Sequence, residues 1–93
     1  MGSPRPAIDS LVAVELGRAL PEVVSELQTV MARPQFLVDA MTRYRIGQGE
    51  YQHRYEWLDW PQVVFDGEVY VELLDALIYR AMARAKTSLD EAR

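Results

Sequence analysis

Helical spacing of apolar residues dominates the first half of the chain, and two prolines divide this pattern into segments. From Ile8 to Leu20 the apolar side chains recur three or four positions apart. Pro21 lacks the backbone N–H that a helix interior needs, but it suits the first turn of a new helix, and Pro34 repeats this arrangement. Gly47 is a residue type that ends helices in the left-handed conformation. The sequence therefore predicts three short helices, over residues 8–20, 21–32 and 34–46.

The second half of the chain carries β-type patterns. Aromatic and polar residues alternate over 50–58, which favours a strand, although the same stretch also has helical spacing and both interpretations stay open. Asp66-Gly67 lies between two β-prone runs, and this dipeptide supplies the positive φ angles of a tight hairpin turn within 63–71. A long amphipathic helix follows from Leu73 to about Thr87.

These elements predict an α+β domain that is mainly helical. It would contain three short N-terminal helices, a small antiparallel hairpin sheet and a long C-terminal helix. At 93 residues, with 49% apolar and 26% charged residues, the composition is that of one globular domain. We expect this domain to span 7–87, between a disordered segment over 1–6 and a frayed tail over 88–93.

Composition also narrows the setting of the protein. The chain has no cysteine, which excludes disulfides and thiolate metal sites and favours a cytoplasmic location. No apolar run reaches the 18 or more residues of a membrane span, so we predict no membrane contact.

No pattern in the sequence predicts a catalytic centre, a metal site or a cofactor. Asp9-Ser10-Leu11 resembles the Asp-Ser-Leu motif of acyl and peptidyl carrier proteins, in which the serine would carry phosphopantetheine. The downstream helices of that family do not line up with this chain, and we interpret Asp9 and Ser10 as a helix cap. Glu50 and His53 have the Glu-x-x-His spacing of di-iron bundles but supply only two ligands. We therefore predict a protein that is not an enzyme.

Basic residues concentrate between Arg33 and Arg54, within a chain whose net charge is −4. Three helices followed by a hairpin is the element order of a winged helix-turn-helix, in which the third helix enters the major groove of DNA. A DNA-binding regulator is therefore the alternative function. The residues that would contact nucleic acid are Arg33, Gln35, Arg43, Arg45 and Arg54.

Six of the nine aromatic residues lie between Tyr51 and Tyr70. A small sheet has two faces, and only one of them can pack on the helices, so the other would expose aromatic side chains of the kind enriched at binding hot spots. The function we favour is a non-catalytic protein-interaction module that self-associates as a homodimer or binds another protein. The predicted contact residues, beside the last helix, are Tyr55, Trp57, Trp60 and Tyr70.

Overall fold

The computed structural model describes residues 5–50 and 55–92 of the chain, and all regular structure in these ranges is helical. Helix α1 spans Arg5–Met31 and α2 spans Pro34–Glu50. A short 3-10 helix, η1, covers Glu56–Asp59, and α3 spans Gln62–Glu91. No strand occurs among the described residues. None of the described helices is both long and apolar enough to cross a membrane.

The core lies between α1 and α3. The residues that α1 buries follow each other at four-residue steps: Glu15, Ala19 and Val23 are buried, and Leu11 and Leu27 at either end are half-buried. Side chains at such steps form one ridge along a helix surface. We call this set the α1 ridge.

Helix α3 presents a matching ridge. Ala81 and Ala85 are buried, and Leu77 one turn earlier is half-buried. Ridges of four-residue steps on both helices are typical of the commonest class of helix packing, in which the two sets interdigitate. The alanines have short side chains, so the two backbones can approach closely. We call Leu77, Ala81 and Ala85 the α3 ridge.

The chain is extended for its length. Its radius of gyration is 17.8 Å, whereas a compact domain of 93 residues has about 12 Å. Helix α2 contributes to this shape, because its described residues contact α1 but not α3, and none of them is buried. The fold is therefore a packed pair of helices, α1 and α3, with α2 in contact, among the described helices, with α1 alone. We call the α1–α3 pair the hairpin, although α2 lies between the two helices in sequence.

The prediction of separate first and second helices is wrong, because α1 continues through Pro21. Pro21 removes the hydrogen bond that would reach the carbonyl of Gly17, and a proline in a helix interior costs about 3 kcal/mol. The α1 ridge offsets this cost, since Ala19 and Val23 lie on either side of Pro21 and both are buried. Packing along the whole ridge keeps the helix in one piece. Ser10 is likewise not a cap: α1 starts at Arg5, and the Ser10 hydroxyl donates a hydrogen bond to the Pro6 carbonyl at 2.9 Å.

The predicted hairpin sheet is also wrong, and with it the α+β fold class. The stretch 63–71 lies inside α3, and Gly67 does not have a positive φ angle. Val63, Tyr70 and Leu77 lie seven residues apart, so extending the last helix toward the N-terminus places them on one stripe, and this longer period prevails over the local period of two. A single glycine in a helix costs only about 1 kcal/mol.

The remaining boundaries differ more modestly. Pro34 begins α2 as predicted, but the helix passes through Gly47, which has no positive φ angle, and ends at Glu50. In the segment predicted as strand or helix, 51–54 lie outside the described residues, while Tyr55 is in a turn and 56–58 belong to η1. The first four residues, within the segment predicted to be disordered, are also outside the described part.

Candidate interaction surface

Glu15 is a carboxylate buried in the helix interface. Its side chain is only 2% exposed, and it occupies a position of the α1 ridge that would otherwise suit an apolar residue. The Arg84 Nε donates a hydrogen bond to Glu15 Oε2 at 2.6 Å, and the Arg18 Nη1 donates to Oε1 at 3.0 Å. Among the described residues that are not exposed, every buried side-chain nitrogen or oxygen atom has a hydrogen-bond partner. Burial of this charge is thus compensated on both oxygens.

Two further ion pairs continue from Glu15 along the hairpin. Arg84 also donates through Nη1 to Glu22, and Arg80 donates to Glu26. Positions rise along α1 as they fall along α3, so the two helices are antiparallel. The carboxylates of Glu22 and Glu26 are four residues apart, as are the two arginines, so both ion pairs form in the same register of the two helices.

The ion pairs lie on one side of the hairpin, which we call the ionic face. Each of its members comes one residue before a ridge residue, so that Glu22 precedes Val23 and Arg84 precedes Ala85. The face consists of Arg18, Glu22 and Glu26 on α1 and of Arg80 and Arg84 on α3.

The opposite side of the hairpin is mainly apolar; among the positions that follow a ridge residue, Gln28 and Lys86 are polar. Residues that come one position after a ridge residue turn away from the ionic face on both helices, since successive residues are about 100° apart around a helix. Leu16 is half-buried, and the other members are exposed, with Leu20 51% and Met82 50% exposed. We call this the apolar face; it consists of Leu16, Leu20 and Val24 on α1 and of Ile78 and Met82 on α3.

The electrostatic environment keeps Glu15 ionised. The hydrogen bond from Arg84 lowers the pKa of Glu15, the bond from Arg18 lowers it further, and the opposing effect of burial is smaller than the sum of these contributions. The same contact with Glu15 raises the pKa of Arg84. The pair is therefore charged throughout the neutral range.

The lowered pKa predicts acid sensitivity. A carboxyl group whose pKa is lower in the folded than in the unfolded state stabilises the fold above the unfolded pKa, and this contribution is lost as pH falls through the folded pKa. We expect the free energy of unfolding to fall as the pH is lowered from the ordinary titration range of glutamate into more acidic solution. Urea unfolding at a series of pH values from about 7 down to about 2.5 measures this change.

Two variants separate the contribution of Glu15 from that of the other acids. Glu15→Gln should flatten part of the pH dependence, whereas Glu50→Gln, at the exposed end of α2, should leave it unchanged. An identical dependence in wild type and Glu15→Gln would contradict the assignment.

The predicted aromatic contact residues lie together along the chain, but they do not form a sheet face. Tyr55 is in the turn before η1, Trp57 lies within η1, and Trp60 follows it in extended conformation. The ring of Trp60 packs against Phe65 with a centroid distance of 5.6 Å and an interplanar angle of 44°. Tyr70 lies on α3, and all four predicted contact residues are exposed.

The predicted nucleic-acid residues are only partly brought together. Arg33 lies in the short connection between α1 and α2, while Gln35, Arg43 and Arg45 are on α2. The Gln35 amide donates to the Asp39 carboxylate at 2.9 Å. Arg54 lies outside the described residues. Two elements of the predicted winged helix-turn-helix order are not found among the described residues, because 63–71 is helical where the wing was predicted and the first two predicted helices are one. DNA binding itself stays a prediction.

The described residues contain no group of three or more histidine or acidic side chains placed to hold a metal ion. His53, the one histidine of the chain, is not in the described part. No protein-family model matches the chain, and no match was found among curated proteins or solved structures.

Proposed function

We propose that this chain is a non-catalytic protein-interaction module that acts as a homodimer. The observation that carries the proposal is that the chain exposes more solvent-accessible surface than a compact monomer of its mass. The chain exposes 8079 Å² to solvent, whereas a compact monomer of 10.7 kDa exposes about 5,500 Å². The difference, roughly 2,500 Å² per chain, is larger than the ~800 Å² that one partner buries in a typical stable interface. Over two chains it amounts to roughly 5,000 Å², at the upper end of the range for permanent dimers.

The apolar face of the hairpin is the first region that a second copy would cover. Large apolar side chains on both helices lie side by side there, and burial of apolar surface contributes about 25 cal/mol per Å². A contiguous apolar face of this kind marks an interaction site more often than isolated exposed residues do. Pairing two such faces would give a four-helix core in which both ionic faces point outward.

The exposed aromatics extend this contact surface. Trp57 and Trp60 lie in the connection that leads into α3, and Tyr70 lies along the first half of that helix. Tryptophan and tyrosine contribute disproportionately to interface energy, because they bury a large area while fixing few torsions. We assign Tyr55, Trp57, Trp60 and Tyr70 to the same interface.

The proposal predicts a dimer in solution. Sedimentation equilibrium at micromolar concentration should give about twice the 10.7 kDa mass of the chain. Leu20→Glu and Ile78→Glu should each weaken the dimer by at least about 100-fold, because a charge would be buried without a partner in the apolar face. Sedimentation over a concentration series measures the dissociation constant of each variant.

Ser25→Glu is the matched control, since Ser25 is exposed on the same helix as Leu20 but lies outside the apolar face. It should retain the wild-type dissociation constant. A monomeric wild type, or equal association of Leu20→Glu and wild type, would contradict the proposal. Duplex DNA binding that weakens with added salt and with Arg43→Ala and Arg45→Ala would instead support the alternative function.

A further inference from the structure

Helix α2 has an apolar face that the described residues of its own chain do not cover. Leu37, Met41 and Tyr44 follow each other at steps of four and three residues, so they lie on one side of the helix. All three are exposed, and Leu37 is 73% exposed. A helix of 17 residues with this stripe needs a surface to pack on.

The first half of α3 also extends beyond its packing partner. Glu26 pairs with Arg80, and α1 ends only five residues after Glu26, at Met31. In an antiparallel pair, residues of α3 that come five or more positions before Arg80 therefore lie at or past the end of α1. We call residues 62–75 the outer segment of α3.

The outer segment carries its own apolar stripe. Val63, Tyr70 and Leu74 are spaced at seven and four residues and align with Leu77 of the α3 ridge. They are exposed, although their stripe is the one that packs on α1 further along the helix. The outer segment is about 21 Å long and α2 is about 25 Å long, so the two match in length.

Charge distinguishes these two exposed helical surfaces. The outer segment contains four acids and no lysine or arginine, and the whole stretch 55–79 contains six acids and no cation. The stretch 33–50 around α2 has three arginines against two acids. Opposite net charge favours contact between α2 and an outer segment and disfavours contact between two outer segments.

We propose that in the dimer, α2 of each copy packs against the outer segment of α3 of the other copy. This inference rests on the homodimer proposed above and specifies how the arms of the two chains are arranged. A twofold dimer contains this contact twice, because a symmetric interface repeats each pairing reciprocally. Exchange of equivalent elements between copies is a common way to build a dimer from a chain with unpaired arms. The surplus area of each chain is large enough to include both arms.

Charge reversal tests the pairing directly. The basic-side variant carries Arg43→Glu and Arg45→Glu, and the acidic-side variant carries Glu68→Arg, Glu72→Arg and Asp75→Arg, so that the net charge of each arm changes sign. Each variant places like charges opposite each other in both arm contacts of its own dimer, so each should dissociate at least about tenfold more readily than wild type. In an equimolar mixture both contacts of the heterodimer regain opposite charges. Native mass spectrometry of the mixture should show predominantly the heterodimer.

Mixing with wild type is the internal control. A heterodimer of either variant with wild type has one restored and one repelling contact, so it should form less readily than the heterodimer of the two variants. Glu91→Arg, a reversal at the far end of α3, should associate as wild type does.

The outcomes separate this inference from the proposed function. If both charge variants dimerise as wild type does while Leu20→Glu is monomeric, the homodimer stands and the arm exchange is overturned. If the variants lose thermal stability without a change in association, α2 folds back on its own α3 and the exchange is again overturned. A monomeric wild type overturns both.

Discussion

Arg84→Met is expected to unfold the hairpin at neutral pH or to lower its thermal midpoint severely. Glu15 would keep its buried position but lose the partner whose hydrogen bond makes the largest contribution to the lowering of its pKa. Arg18 would remain, but its side chain is 63% exposed and it bonds only one of the two carboxylate oxygens. Removal of one member of a buried ion pair leaves an uncompensated charge in the interior and is strongly destabilising. Thermal unfolding followed by circular dichroism, at a fixed protein concentration, measures the loss.

Two comparisons make this expectation specific. Arg80→Met breaks an ion pair with Glu26 in which both side chains are well exposed, and such pairs contribute about 0–1 kcal/mol. Its effect should therefore be much smaller than that of Arg84→Met. Replacing both members of the buried pair, in Glu15→Leu with Arg84→Met, should recover much of the lost stability, since apolar pairs can substitute for buried ion pairs. Equal losses of thermal stability in Arg80→Met and Arg84→Met would contradict this expectation, because they would show that Glu15 does not depend on Arg84 for compensation of its buried charge.

The sequence predicts that the first half of the chain is helical, but it does not predict correctly where one helix ends and the next begins. The four-residue steps of the α1 ridge run through Pro21, and they could be recognised in the sequence as one continuous stripe. The local rule for proline in a helix interior is worth about 3 kcal/mol, and packing on both sides of Pro21 outweighs it. The helix-breaking rule for proline therefore gives the wrong helix boundary here, because tertiary contacts along the whole α1 ridge stabilise one continuous helix.

The same conflict between a short and a long sequence period explains why the predicted β-hairpin at 63–71 is wrong. Val63–Phe65 and Glu68–Val71 are β-prone over a few residues, and Asp66-Gly67 between them is typical of a turn. The seven-residue spacing of Val63, Tyr70 and Leu77 becomes visible only when this stretch is considered together with the last helix. In α3 the Gln62 amide donates to the Asp66 carboxylate one turn later at 3.2 Å, a contact that belongs to a helix.

The buried ion pair could be anticipated only in part. Glu15 stands four residues before Ala19, at a position where the apolar stripe predicts an apolar side chain, and this departure is visible in the sequence. The equal spacing of Glu22 with Glu26 and of Arg80 with Arg84 is visible as well. Arg84 lies 69 residues from Glu15, however, and no local pattern fixes the register of two helices that far apart in sequence. Only the assembled hairpin identifies the partner.

Ala81→Leu is expected to have the second large effect, through overpacking of the helix interface. Ala81 is fully buried in the α3 ridge, and the described core contains only three other buried apolar residues: Ala19, Val23 and Ala85. A leucine there would push the backbones apart, and overpacking of this kind costs about 1–3 kcal/mol. Because so small a core can relax only by giving up its other contacts, we expect a loss near the upper end, measured by urea unfolding.

Ala13→Leu provides the control for this substitution on the partner helix α1. Ala13 is exposed, and leucine has nearly the helix propensity of alanine, so stability should change by less than about 0.5 kcal/mol. A combined variant, Ala81→Leu with Leu77→Ala, restores the side-chain volume of the α3 ridge but moves it by one turn. If close approach of the two backbones at Ala81 holds the hairpin together, this compensation should fail, because the added bulk still lies where the helices meet. Recovery of wild-type stability in the combined variant would mean that total core volume, and not the small residue at position 81, determines how α1 and α3 pack.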